Sequence, residues 1–181
     1  MDINQATRDT GRTPLYIASE YGKSDVVRML LDAGADVNQA RTDYGYTPLY
    51  IASQYGKADV VRMLLGADAD VNQATTNNGR TPLYTASSNG KADVVRMLLD
   101  AGANVNQATT DDGRTPLYIA SQKGRTEIVS MLLDAGAYIT KAKKIDSETP
   151  LYTASEKGET KIVEMLLDIG ANVNQATDNG R

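Results

Sequence analysis

Acidic side chains are the first candidates for chemistry in this chain, because its 181 residues include no histidine and no cysteine. Serine–histidine and cysteine–histidine nucleophile pairs and the usual zinc ligands are therefore excluded. Asp111 and Asp112 could together bind a hard cation, but no further oxygen ligands follow at the spacing of a calcium-binding loop. Glycine-rich phosphate-binding patterns are also missing from the sequence. These residue types predict a protein that is not an enzyme and that uses no cofactor and no metal.

Two further sets of side chains recur at fixed positions, which favours structural roles for both. The first set is acidic and is expected in the first turn of a helix, where a negative charge is favourable. Its members are Asp25, Asp59, Asp93 and Glu127. The second set consists of methionines beside paired leucines, which we expect to pack in the core rather than to form a recognition stripe. They are Met29, Met63, Met97, Met131 and Met165.

An internal repeat organises the chain and positions these side chains. The sequence Thr-Pro-Leu-Tyr begins at Thr13 and returns every 34 residues, and its copies contain all 5 prolines. A fixed period of this length indicates a solenoid of stacked units. We expect a single domain, 1–181, built from units one to five and a partial sixth unit. The five units cover residues 2–35, 36–69, 70–103, 104–137 and 138–171, and the partial unit covers 172–181.

Each unit predicts a turn followed by two short helices, as the third unit illustrates. An Asn-Asn-Gly turn precedes Thr81, a candidate helix N-cap, and Pro82 suits the first helical position. This helix is expected to end near Gly90. A second helix with an apolar stripe is expected between Ala92 and Gly102. Helices this short are marginal alone, so each unit must stack on its neighbours.

Two recurring stretches resemble the ankyrin-repeat family. The family pattern T-P-L-H-x-A is similar to Thr13–Ala18 and its four counterparts, and the run from Val26 to Asn38 resembles the second ankyrin helix and its exit. The resemblance covers essentially the whole chain. It implies an all-α ankyrin-repeat solenoid of stacked helix-turn-helix units with short β-hairpin fingers.

The chain departs from the family pattern in several places. Its period is 34 residues rather than about 33, with the extra residue in the finger. Tyrosine replaces the motif histidine, and its hydroxyl could tie the turn by hydrogen bonds from a longer reach. In unit two, Gly66 and Asp68 have exchanged places relative to the other units, so an aspartate stands where a left-handed backbone is expected. Unit five has Ser147 in place of the turn glycine and three lysines in its finger, which suggests a partial cap.

The resemblance also implies a concave binding face formed by the turn tips and the ends of the first helices. Four tyrosines are expected on this face in units one and two, with arginines beside them, and both residue types are enriched at binding hot spots. The alternative is that they are solvated loop residues without a ligand. The tyrosines of the repeated motif are expected to be structural. The candidate partner-binding residues are Arg12, Tyr21, Tyr44, Tyr46, Gln54, Tyr55, Arg80, Asn89 and Arg114.

Charge and hydropathy narrow the range of partners. The net charge of −4 and the pI of about 4.9 argue against nucleic acid, whose binding proteins are normally basic. No apolar run approaches the roughly 20 residues that a membrane-spanning helix needs, and the first residues do not form a signal peptide. We expect an intracellular, cytoplasmic protein without a membrane partner.

The sequence therefore predicts a non-catalytic module that binds another protein, acting as a monomer with a capacity for end-to-end association. One alternative is a structural or spacer segment of a longer repeat array, or an engineered scaffold without an evolved ligand. A third interpretation is a substrate for modification, since Asn38 and Asn72 resemble ankyrin asparagines that are hydroxylated. Binding measurements separate the first two interpretations, and intact mass tests the third.

Overall fold

The computed structural model describes residues 2–140 and 147–174 of the chain. Within these residues, ten α-helices form five consecutive pairs, one pair in each unit, and no β-strand is present. The expected all-α architecture is confirmed. The lysine-rich finger at 141–146 and most of the partial sixth unit lie outside the described residues. The helices are α1 Pro14–Glu20, α2 Ser24–Asp32, α3 Pro48–Tyr55, α4 Ala58–Gly66, α5 Pro82–Ser88, α6 Ala92–Asp100, α7 Pro116–Gln122, α8 Thr126–Asp134, α9 Pro150–Lys157 and α10 Thr160–Asp168.

The first helix of every pair begins where the repeated motif predicts. The motif threonine is the N-cap, and its Oγ1 accepts a hydrogen bond of 3.0–3.2 Å from the backbone N–H of the motif tyrosine. The motif proline follows in the first turn, where the absence of an N–H costs no helical hydrogen bond. Four consecutive residues of sequence therefore determine each helix start.

The second helix of every pair ends in a left-handed residue. Gly34, Gly102, Gly136 and Gly170 take this position with φ between 82° and 88°. In unit two the position belongs to Asp68, with a φ of 61°, as the exchanged residues predict. Because aspartate carries a Cβ that crowds a carbonyl in this conformation, its backbone costs about 1 kcal/mol more than glycine.

The core is a ribbon that runs along the stack of units. The first helices pack on one another in the order α1, α3, α5, α7 and α9, and the second helices stack in the same way. Two positions of each unit point toward the next unit and are fully buried in units one to four. They are Leu15, Leu49, Leu83 and Leu117 on the first helices, and Val27, Val61, Val95 and Val129 on the second helices. This packing supplies the stability that such short helices lack by themselves.

The fingers are hydrogen-bonded turns, so the expected hairpins occur without strands in the described residues. In unit two the Arg41 N–H donates to the Tyr46 carbonyl at 3.0 Å and closes the turn. Adjacent fingers are joined by one backbone bond, as from the Thr76 N–H to the Tyr44 carbonyl at 3.0 Å. A single bond between neighbours is too short a ladder to define a strand.

Met29 contradicts the expectation that all the repeated methionines pack in the core, because it is 70% exposed. Its four counterparts are half-buried against the core. In units two to five this position faces the preceding unit, and unit one is the first of the five. The same residue type therefore changes from a packing residue to a surface residue when its neighbouring unit is removed.

Candidate partner-binding site

The residues that follow the turn glycines lie on the rings of the motif tyrosines. The guanidinium carbon of Arg80 is 5.4 Å from the ring centroid of Tyr84, and that of Arg114 is 5.6 Å from the ring of Tyr118. In unit two the equivalent Tyr46 stacks on Tyr50 with centroids 4.7 Å apart. The negative faces of the rings attract the guanidinium groups, and offset stacking holds the tyrosine pair. The motif tyrosines therefore support the candidate binding side chains that lie on their rings.

The motif tyrosines connect each unit to the next. The hydroxyl of Tyr118 in unit four donates to Oε2 of Glu148 in unit five at 2.7 Å. The hydroxyl of Tyr16 in unit one accepts from Nη1 of Arg41 in unit two at 3.3 Å. Burial raises the pKa of both phenols above the ordinary tyrosine value, so their hydroxyls stay protonated at neutral pH. These two hydroxyls do not tie their own turns, as a longer-reaching substitute for histidine could have done; they bond across the junction between units.

Arg41 is the centre of a cluster at the junction of units one and two. Its guanidinium carbon lies 5.5 Å from the ring centroids of Tyr16 and Tyr46 and 6.0 Å from that of Tyr44. The rings of Tyr44 and Tyr46 are themselves 5.6 Å apart. The guanidinium also donates to both carboxylate oxygens of Asp43. We call Tyr16, Arg41, Asp43, Tyr44 and Tyr46 the Arg41 cluster.

The charge at the centre of the Arg41 cluster is balanced within the cluster. The hydrogen bond from Arg41 holds the pKa of Asp43 below the ordinary aspartate value, so the carboxylate is ionised at neutral pH. The Arg41 side chain is largely buried. The cluster presents to solvent Tyr44, which is 47% exposed, beside the exposed Asp43. The exposed aromatic side chain is therefore held in place by the ion pair between Arg41 and Asp43, in which the two charges neutralise each other.

Sequence reasoning found Tyr44 and Tyr46 but missed Arg41 and Asp43. The signal was available, because position 41 breaks a repeated threonine: the equivalents in units one, three and four are Thr7, Thr75 and Thr109. In unit four the Oγ1 of Thr109 donates to Asp112 at 2.8 Å and accepts from the Arg114 N–H at 3.0 Å. Arg41 replaces such a turn-closing threonine, and its side chain instead contacts three tyrosine rings.

The four predicted tyrosines fall into two groups. Tyr44 and Tyr46 belong to the Arg41 cluster. Tyr21 and Tyr55 are exposed at the ends of α1 and α3, and neither ring stacks on another aromatic ring. A partner that contacts all four tyrosines would have to span from the finger to the end of the first helix.

The other predicted residues line the same side of the units with more local tasks. Arg12 has its Nη1 3.9 Å from a carboxylate oxygen of Glu20. Asn89 follows α5 and donates from Nδ2 to the Thr85 carbonyl at 2.8 Å, which caps the helix end. Gln54 is half-buried on α3. Their side chains are therefore placed by intrachain contacts, and only parts of them remain open to a partner.

The acidic pair considered as a cation site already has a cationic neighbour. Asp112 Oδ2 lies 2.6 Å from Nε of Arg114, and its other oxygen accepts from Thr109. Asp111 Oδ1 accepts from the backbone N–H of Asp112 at 2.7 Å. Over residues 2–140 and 147–174, no group of three or more acidic side chains converges in a way that could hold a metal ion. These contacts of Asp111 and Asp112 are therefore made within their own turn.

Comparison with known protein families supports the resemblance in the sequence. The family model described as ankyrin repeats, in three copies, matches residues 1–75, 68–143 and 107–177. The chain therefore belongs to the ankyrin-repeat family. Members of this family are generally protein–protein interaction modules and are typically not catalytic. No curated protein matches the chain. None of the described helices combines the length and the apolar character that crossing a bilayer requires.

Proposed function

We propose that the chain is a non-catalytic module that binds a partner protein through the fingers and first-helix ends of units one and two. The observation that supports this proposal is the Arg41 cluster, in which an exposed aromatic ring is held in place before any partner arrives. Tyrosines and arginines carry a large share of the binding energy at protein interfaces. A ring that is already ordered loses little conformational freedom on binding.

The chemistry of the Arg41 cluster favours a partner with an apolar or aromatic anchor and a polar rim. Tyr44 offers a ring face, while Arg41 is satisfied by Asp43 and contributes no free charge. Arg12, whose side chain is 36% exposed, and the half-buried Arg80 would supply the polar rim. This division into an apolar centre and a polar edge is the usual anatomy of a specific interface.

Three further parts complete the proposal, and the composition supports the first two. The acidic balance of the chain disfavours nucleic acid as the partner. The absence of cysteine agrees with a reducing, intracellular and most simply cytoplasmic location. The binding unit is a single copy of the chain.

The experiment compares two triple variants of one chain. Tyr44→Ala/Tyr46→Ala/Tyr55→Ala removes the aromatic residues of unit two. The control replaces three exposed side chains of unit four that are not candidate binding residues, Asp111, Lys123 and Arg125, with alanine. Partners are isolated by affinity capture with the wild-type chain, and their binding isotherms are then measured with all three proteins. We expect the unit-two variant to lose about 2 kcal/mol or more of binding free energy and the control to lose far less.

Thermal unfolding of both variants controls for loss of structure. Equal affinity of the unit-two variant and wild type for a verified partner would remove this surface as the binding site. Absence of any saturable partner would instead favour the spacer or scaffold interpretation, in which the array has no evolved ligand.

The modification hypothesis has its own structural context. The Oδ1 of Asn38 accepts from the Asp70 N–H at 2.8 Å, and that of Asn72 accepts from the Asn104 N–H at 2.7 Å. Each side chain thus links consecutive units, and a modifying enzyme would have to break that link to reach it. We therefore rank protein binding ahead of modification.

A further inference from the structure

The two ends of the stack expose side chains that are buried or half-buried in the other units. Val26 on α2 is 47% exposed, whereas its counterpart Val60 on α4 is 1% exposed. Pro14 and Ile17 on α1 are also more open than their equivalents in the later units. We call this surface the first-unit face. Its residues are Pro14, Ile17, Val26, Met29 and Leu30, and it borders a groove of about 530 Å³.

The other end shows the opposite half of the same junction. Leu151 on α9 and Val163 on α10 are only half-buried, although their counterparts in units one to four are fully buried. Leu167 is exposed beside them. We call this surface the fifth-unit face. It consists of Leu151, Tyr152, Ser155, Val163 and Leu167, which line a groove of about 350 Å³ together with Thr149, Asn172 and Val173.

Inside the chain these two kinds of face are joined at every junction. Each face that corresponds to the first-unit face, in units two to five, is covered by the preceding unit. The residue types match: Pro14, Ile17 and Val26 recur in unit two as Pro48, Ile51 and Val60. The fifth-unit face repeats unit four in the same way, with leucine, tyrosine, serine, valine and leucine at the five positions. A second copy of the chain therefore carries a surface that fits each exposed end.

A glycine at the fifth-unit end keeps room for the next unit. A Cβ at Gly22 would lie 2.8 Å from Cδ of Lys57 in the following unit, so that lysine side chain packs directly over the glycine. Gly158 retains the same left-handed conformation, with a φ of 72°, and among the described residues nothing would lie within 4 Å of a Cβ there. Lys23, the first-unit equivalent of Lys57, would occupy that open space from a second copy.

We propose that the first-unit face of one copy binds the fifth-unit face of another, which gives head-to-tail association. This contact uses two different patches and does not close on itself, so it extends into chains of copies rather than stopping at a dimer. The inference does not depend on the partner-binding function, because it is argued from the matching faces of the repeat; Arg12 and Tyr21 of the candidate site also line the groove beside the first-unit face.

Two features make this contact weaker than an internal junction. At Gly45 and Gly79 a Cβ would lie 2.8 Å or less from atoms of the next finger, whereas Ser147 at the equivalent position of unit five carries a Cβ. The fingers of two copies therefore cannot join as internal fingers do. In addition, residues 172–174 occupy the place that residues 2–4 of the second copy would need, although Val173 is exposed. The association is consequently expected only at high protein concentration.

Sedimentation velocity of the full chain at concentrations up to about 1 mM, a range that detects weak contacts, tests the proposal. Val26→Lys/Met29→Lys blocks the first-unit face, and Leu167→Lys/Val173→Lys blocks the fifth-unit face. All four residues are already exposed, so the fold tolerates the changes. Tyr138→Lys, at an exposed position away from both faces, is the matched control.

Wild type and the Tyr138→Lys control should show an average mass that rises with concentration beyond a dimer. Each blocked variant alone should remain a monomer. An equimolar mixture of the two blocked variants should form a dimer and stop there, because only one productive pair of faces remains. A monomeric wild type at every concentration would overturn the proposal. So would self-association of either blocked variant, or a mixture that forms no dimer.

Discussion

Unit four and unit two close the same turn with different side chains. In unit four the hydroxyl of Thr109 bonds to Asp112 and to the backbone of Arg114. In unit two Arg41 occupies the position of that threonine and instead contacts three tyrosine rings and Asp43. The backbones nevertheless agree, since the turn-closing bond measures 2.9 Å in unit four and 3.0 Å in unit two.

The features that fold a unit therefore differ from the side chains with which a unit could recognise a partner. The backbone turn is set by the repeat and persists with either side chain. The surface above it changes from a polar ion pair in unit four to an exposed aromatic ring in unit two. A repeat array can therefore vary its binding chemistry one finger at a time without altering the stack.

The largest difference in stability between the two units is expected at their helix exits. The double change Gly66→Asp/Asp68→Gly gives unit two the residues that unit four has at these positions. It should raise the free energy of unfolding by about 1–2 kcal/mol, since it removes a glycine from the last helical turn and a Cβ from a left-handed position. Urea unfolding of the variant beside wild type measures the effect.

The reverse exchange in unit four is the matched control. Asp134→Gly/Gly136→Asp should lower the free energy of unfolding by a similar amount. If neither exchange changes the urea midpoint, the left-handed conformation at Asp68 does not lower the free energy of unfolding.

A smaller effect is expected from the turn-closing threonine. Thr109→Val keeps the shape of the side chain but removes the hydroxyl from a buried position. We expect a loss of about 1 kcal/mol, because the hydrogen bonds to Asp112 and to the Arg114 N–H disappear. Thr75→Val in unit three should cost less, because Thr75 donates to the neutral amide oxygen of Asn78 rather than to the carboxylate of Asp112. No loss at either site would argue against a shared turn mechanism.

The Arg41 cluster should reveal itself most directly in binding. Arg41→Thr restores the residue type of units one, three and four and allows the hydroxyl to close the turn again. The free energy of unfolding should therefore change little. The binding free energy for a verified partner should weaken by about 0.5–1 kcal/mol, because Tyr44 loses its cation–π contact with Arg41. Calorimetric binding and thermal unfolding of the same sample separate these two quantities. A large loss of stability with unchanged affinity would make Arg41 a purely structural residue.

The smallest expected effect depends on pH. The pKa of Asp43 is lower in the folded chain than in the unfolded chain, where it is about 3.9. The ion pair with Arg41 therefore stabilises the fold above that pH, and its contribution is lost as the pH falls through the folded-state pKa. Asp43→Asn should be less stable than wild type at pH 7, and the difference should shrink as the pH falls below about 3.9. A difference that persists in acid would show that the ionised carboxylate is not responsible.

Much of the fold could be predicted because its determinants are local. The motif threonine and proline fix each first helix by capping and by a preset backbone angle, and the glycines mark where helices end. The left-handed conformation of Asp68 also followed from its place in the repeat. These features depend on a few neighbouring residues, so they can be predicted from the sequence alone.

What could not be predicted depends on contacts between units. The exposure of Met29 reflects its place in the first unit, although its own unit has the ordinary sequence. The bond from Arg41 to the Tyr16 hydroxyl joins residues of two units, and only the stack brings them together. The family histidine suggested a role within one turn, whereas the hydroxyls of Tyr16 and Tyr118 bond to the next unit. Such cross-unit geometry is not encoded in any single copy of the repeat.

The most direct test of the account is hydrogen exchange of the chain with and without a verified partner. Binding should protect the backbone amides of residues 42–46, in the finger of unit two, more than those of residues 110–114, in the finger of unit four. Protection that appears only on α2, α4 and the other second helices, with the unit-two finger unchanged, would contradict it.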